Sequence, residues 1–550
     1  MFLIILLSAA LAVTSGQRTL SVNTTEGVVV GYGDDYFEFY GLRYGGPVSG
    51  ANRFKAPSPA TPYPSEFHAM DRNIRCIQPT SSGHVGVEDC LYLDVFTKNV
   101  TYAKPVLVWL ESEGYQSSRM PSSFRQLVTN DAVVVSLNYR LSIFGFLCLG
   151  VAEAPGNAGL KDIVLGLNWI KNNIAGFGGD PTNVVLLGHG SGAAIVDLLT
   201  MSPLAEGLFH KAIVLSGSVL APWAVAYDPI GYAEIVGAKL AYEGKNSAEL
   251  ARSLVNTNIE VLMPVLEQEF TNNSVLFAPC IENTQLNGSF LTDAPINILR
   301  SGKYSQVPYL IGYTDREGTI RAAEADTWKR PMFQNFTQFL GVDLAFDTDA
   351  NKKNASASIF NFYFGNSTEM DIEDYLDYHG DTSILVPAIR GALERASTSS
   401  AKVHLFEFAY RGSTNADWTY PAIPLNGVKH GGILEYLFGT NLTEQGAQAM
   451  FSFIRRLLVF ANAGTPNFAT PRDDAAQWLT VSNSSFNYFY FGGSPGHPMV
   501  EESKINPHTQ RMTFWNQLYS KYYKTPVPVS SASKIVGLSL LLILCQILVF

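Results

Sequence analysis

The sequence VVLLGHGSG at residues 184–192 decides the fold of this chain. An apolar run, a glycine-rich corner and an apolar helical pattern at residues 193–196 predict a strand, a sharp turn and a helix. In a nucleophile elbow, G-x-S-x-G, such a corner exposes a serine at the top of a sheet. Here Gly190 occupies the central position, and the only serine, Ser191, lies one place later. The sequence therefore predicts the turn of an elbow without its nucleophile.

Three neighbouring residues each have an expected role at this corner. Gly190 suits the strained backbone of an elbow, where another residue would cost about 1–3 kcal/mol. Ser191 could replace the nucleophile only in a rebuilt turn, because the residue after the nucleophile normally supplies a backbone N–H. We expect Ser191 to lie in the first helical turn and satisfy free amides. His189 is predicted to be a core histidine.

Apolar runs that alternate with helical patterns predict the fold class α/β, with a large, mostly parallel central sheet flanked by helices. A hairpin is expected at residues 26–30 and 36–40. Further strands are expected at 106–110, 132–137, 184–187, 212–215, 307–311 and 403–408, and helices at 161–173 and 447–463. The polar segment 347–358 is predicted to be an exposed surface loop.

Composition and charge exclude several classes of protein. With 550 residues, 47% of them hydrophobic and 16% charged, the chain can bury a large core and is not disordered. Its net charge of −10 argues against nucleic-acid binding, which needs clustered lysine and arginine. The sequence suggests no cofactor and no metal site.

Both ends of the chain carry apolar runs. Residues 1–16 have the pattern of a signal peptide, which leaves a folded part at 17–525. A linker at 526–534 leads to an apolar tail at 535–550, shorter than the ~20 residues of a spanning helix. Small residues before the tail predict a GPI signal with Ser530 as candidate attachment site, and a short tail-anchor helix is the alternative. Either way, we expect display on the extracellular face of a membrane.

Glycosylation motifs and cysteines also indicate the secretory pathway. Nine N-x-S/T sequons predict a glycoprotein: Asn23, Asn99, Asn272, Asn287, Asn335, Asn354, Asn366, Asn441 and Asn483. Cys76 and Cys90 are close enough in sequence to close one small loop in an oxidising compartment. Cys148 and Cys280 lie in apolar surroundings and are predicted to be buried free thiols.

Several motifs together resemble the cholinesterase and type-B carboxylesterase family of α/β-hydrolases. They are GLRY at 41–44 with RF at 53–54, EDCLYL at 88–93, GNAGLKD at 156–162, FGGDP at 177–181 and FWN at 514–516. The resemblance covers roughly Thr19 to Tyr522. It implies one large domain with the α/β-hydrolase fold and a disulfide between Cys76 and Cys90.

The resemblance also places the catalytic residues of the family on this sequence. The triad acid falls on Glu317, the base on His430 and the nucleophile on Gly190. The oxyanion loop H-G-G-G falls on Glu111-Ser112-Glu113-Gly114, which keeps only the last glycine. Loss of a triad serine costs on the order of 10⁶ in turnover, and loss of one oxyanion donor costs about 10²–10³.

The two glutamates in the oxyanion loop are expected to oppose the negative charge of the transition state. Two independent changes thus affect the same step, which predicts a catalytically inactive pseudoenzyme. The Gly190 elbow resembles the non-catalytic adhesion branch of the family, which includes neuroligin, neurotactin and glutactin. This implies an extracellular protein partner or homophilic contact, with a possible homodimer. The alternatives are an ester hydrolase that uses Ser191, and a protein that binds a small apolar ligand in the unused gorge.

Overall fold

A computed structural model describes residues 18–530, apart from 245, 268, 366–368, 413–418, 421–422, 425, 470–475 and 483. The predicted signal peptide and the apolar tail lie outside these residues, as do the sequons at Asn366 and Asn483. Within the described ranges, no helix combines the length and the apolar character that crossing a membrane requires.

The strands are listed here in chain order. They are β1 (Arg18–Thr24), β2 (Gly27–Gly33), β3 (Phe37–Arg43), β4 (Phe67–His68), β5 (Gln78–Thr80), β6 (Gly83–Val85), β7 (Tyr92–Thr97), β8 (Lys104–Ser112), β9 (Val133–Leu137), β10 (Gly179–Gly190), β11 (Lys211–Leu215), β12 (Tyr309–Thr314), β13 (Val403–Phe408), β14 (Thr419–Tyr420), β15 (Ile423–Pro424), β16 (Asn487–Gly492) and β17 (Val500–Ile505).

The helices follow the same order. They are α1 (Arg125–Thr129), α2 (Ser142–Phe146), α3 (Ala158–Asn173), α4 (Ser191–Met201), α5 (Pro229–Lys239), α6 (Ser247–Asn256), α7 (Ile259–Leu262), α8 (Pro295–Ser301), α9 (Ala325–Gln334), α10 (Asp349–Phe364), α11 (Ile372–Gly380), α12 (Val386–Thr398), α13 (Glu435–Phe438), α14 (Glu444–Ala463) and α15 (Thr509–Tyr522). A π-helical turn at Asp381–Leu385 joins α11 to α12, and a 3₁₀ turn at Glu317–Arg321 follows β12.

One large sheet organises the described part of the chain. Its strand order is β1-β2-β3-β7-β9-β8-β10-β11-β12-β13-β16-β17, with β4 beside β2. In this order, every neighbouring pair from β9 to β16 is parallel. The pairs nearer either edge are antiparallel, except that β4 lies parallel to β2. The predicted α/β class with a mostly parallel centre is confirmed.

The strand β10 lies in the middle of this sheet, between β8 and β11. Its side chains alternate between two cores: Val184 and Leu186 pack in one, and Val185 and Leu187 pack in the other. Apolar side chains of α3, α4 and α12 cover the first face, and those of α14 cover the second. Burial on both faces explains why the strand has an unbroken apolar run rather than alternation.

The predicted core strands and the two predicted helices are present, with ends that shift by a few residues. The predicted surface loop at 347–358 is wrong, because most of it forms the first part of α10. Thr348 caps this helix by accepting a hydrogen bond from the amide of Asn351, as N-cap threonines do. Ala355 and Ile359 then bury one side of the helix, a pattern that the surrounding polar residues obscure in the sequence.

The cysteines pair differently from the prediction in one case. Cys76 and Cys90 form the expected disulfide. Cys148 and Cys280, predicted to be free thiols, form a second disulfide that joins segments 132 residues apart. Their apolar sequence surroundings indicate burial, and burial alone does not show whether two thiols face each other. Val529 packs against this second disulfide and donates its amide to the carbonyl of Ile281, so the predicted linker is partly anchored to the body.

Candidate active site and its missing nucleophile

Gly190 is the last residue of β10, and α4 begins at the next residue. Its φ of 58° and ψ of −124° lie in a region that favours glycine, as the elbow predicted. A Cβ atom added to Gly190 would lie 3.7 Å from Nε2 of His430 and 3.5 Å from the carbonyl oxygen of Ser112. These are ordinary van der Waals distances, so the site has room for a side chain that the sequence does not supply.

The predicted acid and base are brought together beside this gap. Oε2 of Glu317 lies 2.6 Å from Nδ1 of His430, and Oε1 of Glu317 accepts a hydrogen bond from the buried amide of Thr314. The backbone of His430 is fixed as well, because its amide donates to Oγ1 of Thr319 at 2.7 Å. With Nδ1 directed at a carboxylate, Nε2 of His430 faces the position where a nucleophile would stand.

Ser191 is buried, with 3% of its surface exposed, and its hydroxyl has two partners. Oγ donates to the carbonyl of Ser112 at 2.8 Å and accepts from the amide of Tyr115 at 3.1 Å. Ser191 is the first residue of α4, as predicted, but the amide that its hydroxyl satisfies is not one of the free amides at the start of that helix. That amide belongs to the loop after β8 and not to α4, because the pairing of β8 with β10 brings the two segments together.

The loop after β8 forms a tight turn. The amide of Glu113 donates to the carbonyl of Ser117 at 2.8 Å, and Gly114 and Tyr115 have φ values of 55° and 61°. The turn explains why the last glycine of the loop is retained, since Gly114 has a positive φ. It also commits the amide of Glu113, which cannot serve as an oxyanion donor while this bond is present.

The two glutamates of the loop lie in different places. Glu113 is exposed and lines the cavity at the elbow. The expectation that Glu111 also faces this site is wrong, because Ser112, Glu113 and Gly114 line the cavity and Glu111 does not. Successive side chains of β8 point to opposite faces of the sheet. Burial raises the pKa of Glu111 to about 7, against the opposing effects of Trp109 and Arg119.

His189 is buried as predicted, with 7% of its surface exposed, and it also lines the cavity. Its ring centroid lies 4.7 Å from that of His430. Burial is the main cause that lowers the pKa of His189 well below its ordinary value, and the neighbouring His430 lowers it further, so the ring is neutral. Among the described residues, Nε2 of His189 has no hydrogen-bond partner.

A cavity of about 400 Å³ opens above the elbow. Its apolar walls include Trp223, Phe270, Val275 and Ile320, and Glu269 and Arg321 add charge. No sequence motif indicates these wall residues, because they come from segments that are far apart in the chain. In the part of the chain that the structure describes, no group of three or more His, Cys, Asp or Glu side chains could hold a metal ion.

The sheet, the elbow and the order of Gly190, Glu317 and His430 along the chain define an α/β-hydrolase. The profile of the carboxylesterase family matches residues 18–515, and the chain belongs to that family. It is 27% identical to an acetylcholinesterase from Bungarus fasciatus, over 97% of this chain and 92% of that protein. It is 28% identical to a bile salt-activated lipase from Rattus norvegicus, over 88% and 83% of the two chains. A carboxylic ester hydrolase from Bombus ignitus is 26% identical, over 91% of this chain and 94% of that protein.

Proposed function

We propose that this protein is a catalytically inactive member of the carboxylesterase family that acts in recognition or adhesion at the cell surface. The observation that carries the proposal is Gly190 at the elbow, with Nε2 of His430 facing a position that has no hydroxyl. The relatives are named as esterases and a lipase, so the proposal rests on the residues of this chain and not on those names.

The oxyanion side of the site gives independent support. The amide of Glu113 is bonded to Ser117, and the carboxylate of Glu113 borders the cavity. Preorganised donors aimed at the developing negative charge are the largest single contribution to acyl transfer in many enzymes. A carboxylate in this place acts against that charge, so the acyl transition state loses stabilisation in addition to its nucleophile.

An ester hydrolase that uses Ser191 is the alternative that the geometry favours least. The proton of the Ser191 hydroxyl is directed to the carbonyl of Ser112, and the oxygen accepts from the amide of Tyr115. A nucleophile needs a base within hydrogen-bond reach. Attack by Ser191 would require both bonds to break and the start of α4 to turn toward His430.

The cell-surface part of the proposal has separate support. Two disulfides fit an oxidising compartment. Five of the described sequons lie at exposed asparagines, which a glycan can reach: Asn23, Asn287, Asn335, Asn354 and Asn441. Ser530 is exposed at the end of the described chain, as an anchor site must be. We propose that residues 1–16 are removed, that a GPI anchor is added at Ser530, and that the displayed domain binds another surface protein or a second copy.

Two measurements on the same preparation test the proposal. A fluorophosphonate probe labels activated serines, and we expect no stoichiometric adduct on the purified full chain. Cells that express the protein should form aggregates, either with each other or with cells that carry the partner. A saturable ester hydrolysis that Ser191→Ala abolishes would refute inactivity. Failure of the displayed protein to bind any cell or surface protein would refute adhesion.

A second candidate function is the binding of a small apolar ligand in the cavity. The cavity volume of about 400 Å³ lies within the range of about 300–1,000 Å³ typical of small-molecule sites. Its walls include the aromatic side chains of Trp223 and Phe270. Release of a lipid or hormone-like molecule from the purified, denatured protein, detected by mass spectrometry, would favour this function over adhesion alone.

A further inference from the structure

Nε2 of His430 is a hydrogen-bond acceptor that faces the side-chain position which Gly190 leaves unfilled. Nε2 of His430 would lie 3.7 Å from a Cβ atom at Gly190, and the Glu317 carboxylate holds the opposite ring nitrogen. A neutral imidazole has one donor nitrogen and one acceptor nitrogen. When Nδ1 donates to the carboxylate, Nε2 of the neutral ring is the acceptor, and the gap leaves ordinary van der Waals room for the Cβ atom of a serine.

His189 adds a second polar group to the part of the cavity beside His430. His189 is more than nine-tenths buried and lines the cavity, and its Nε2 has no hydrogen-bond partner within the described ranges. Buried polar atoms are nearly always satisfied, and one that is not requires an explanation such as a bound ligand. Two neighbouring imidazoles, one neutral and unpartnered, therefore indicate a ligand whose polar end lies deep in the cavity.

The charges around the site limit what that polar end can be. Glu113 and Glu269 line the cavity, and the guanidinium of Arg321, which also lines it, is paired with Glu324 at 3.0 Å, so a carboxylate or a phosphate is disfavoured. Gly190 directly precedes α4, an eleven-residue helix whose positive dipole end adjoins the gap and disfavours a cation there. The remaining choice is a neutral group that donates a hydrogen bond to Nε2 of His430 and has lone pairs that face the N-terminal end of the helix. A hydroxyl group meets both conditions.

We propose that the cavity binds an apolar molecule that ends in a primary alcohol, whose hydroxymethyl group fills the gap at Gly190 and donates to Nε2 of His430. The apolar part of the molecule packs against Trp223, Phe270 and Val275. Binding is non-covalent, and no bond in the ligand is broken. This inference rests on the proposed function, in which the protein is inactive because no serine stands beside His430.

Isothermal titration calorimetry on the purified full chain tests the ligand chemistry with four probes that contain the same number of carbon atoms. They are 1-octanol, its isomer heptyl methyl ether, sodium octanoate and octylammonium chloride. We expect 1-octanol to bind about 5- to 10-fold more tightly than the ether, because a neutral hydrogen bond contributes about that factor. Octanoate and octylammonium should bind more weakly than 1-octanol. Equal binding of alcohol and ether, or tighter binding of either ion, would overturn the assignment of the polar group.

Two matched variants test the location. Gly190→Ser fills the gap, and we expect 1-octanol to bind at least about tenfold more weakly, since the serine hydroxyl takes the acceptor. Gly207→Ser makes the same change at another positive φ, 70°, where nothing lies within 4 Å, and should bind like the wild type. Unchanged binding to Gly190→Ser would overturn the proposal. Ester turnover by the wild type would instead refute inactivity, so the two failures are distinguishable.

Discussion

Restoring the missing hydroxyl should not by itself restore an esterase. In Gly190→Ser the new Cβ would lie 3.7 Å from Nε2 of His430, so the hydroxyl one bond further comes within hydrogen-bond reach. A serine at this φ costs about 1–3 kcal/mol, which a domain of this size tolerates. We nevertheless expect turnover of p-nitrophenyl esters by this single variant to remain at the background rate.

The reason lies in the loop after β8. The amide of Glu113 donates to Ser117, and the Glu113 carboxylate borders the site. One lost oxyanion donor costs about 10²–10³ in turnover, before the repulsion from the carboxylate is added. Gly190→Ser combined with Glu113→Gly removes the carboxylate and gives residue 113 the backbone freedom of glycine, which lets its amide exchange Ser117 for the oxyanion. Turnover of this double variant should exceed that of the single variant by about that factor.

A matched control separates the two glutamates of this loop. Gly190→Ser combined with Glu111→Gln changes a carboxylate two residues away that does not line the cavity, and we expect it to stay at the background rate. The assay is initial-rate hydrolysis of p-nitrophenyl acetate and butyrate, with active sites titrated by a fluorophosphonate. Saturable turnover by Gly190→Ser alone would refute our account of the loop. Equal rescue by the Glu111 variant would refute the assignment of that effect to Glu113.

Two further predictions concern stability. Removal of the Cys148–Cys280 disulfide by alanine substitutions should lower the free energy of unfolding by about 5 kcal/mol, because this bond closes a long loop. Removal of Cys76–Cys90, which closes a shorter loop, should lower it by about 3 kcal/mol. Urea titrations in which loss of Cys76–Cys90 lowers the free energy of unfolding more would contradict this. Glu111 binds its proton in the folded state up to a pH of about 7 and in the unfolded state only to about 4, so wild-type stability should fall as pH rises between these values. Glu111→Gln should remove about 3 kcal/mol of that fall, and identical pH profiles would show that burial does not raise this pKa.

The fold class and the position of the site are predictable from the order of the amino acids. Unbroken apolar runs such as 184–187 predict buried parallel strands because such strands are covered on both faces. The resemblance of local motifs to the family was enough to place the three triad positions on Gly190, Glu317 and His430. The absence of a hydroxyl at Gly190 is likewise a property of the sequence alone.

The roles of the neighbouring polar groups, in contrast, depend on contacts that the fold creates. Ser191 bonds to Ser112, 79 residues away in sequence, and this contact depends on the pairing of β8 with β10. The end of β8 at Ser112 separates Glu113 from Glu111, because Glu113 lies in the turn that its amide closes on Ser117 and so does not continue the alternation of the strand. The Cys148–Cys280 bond likewise joins distant segments. A local pattern indicates whether a residue is buried, whereas its partner depends on which distant segment the fold places beside it.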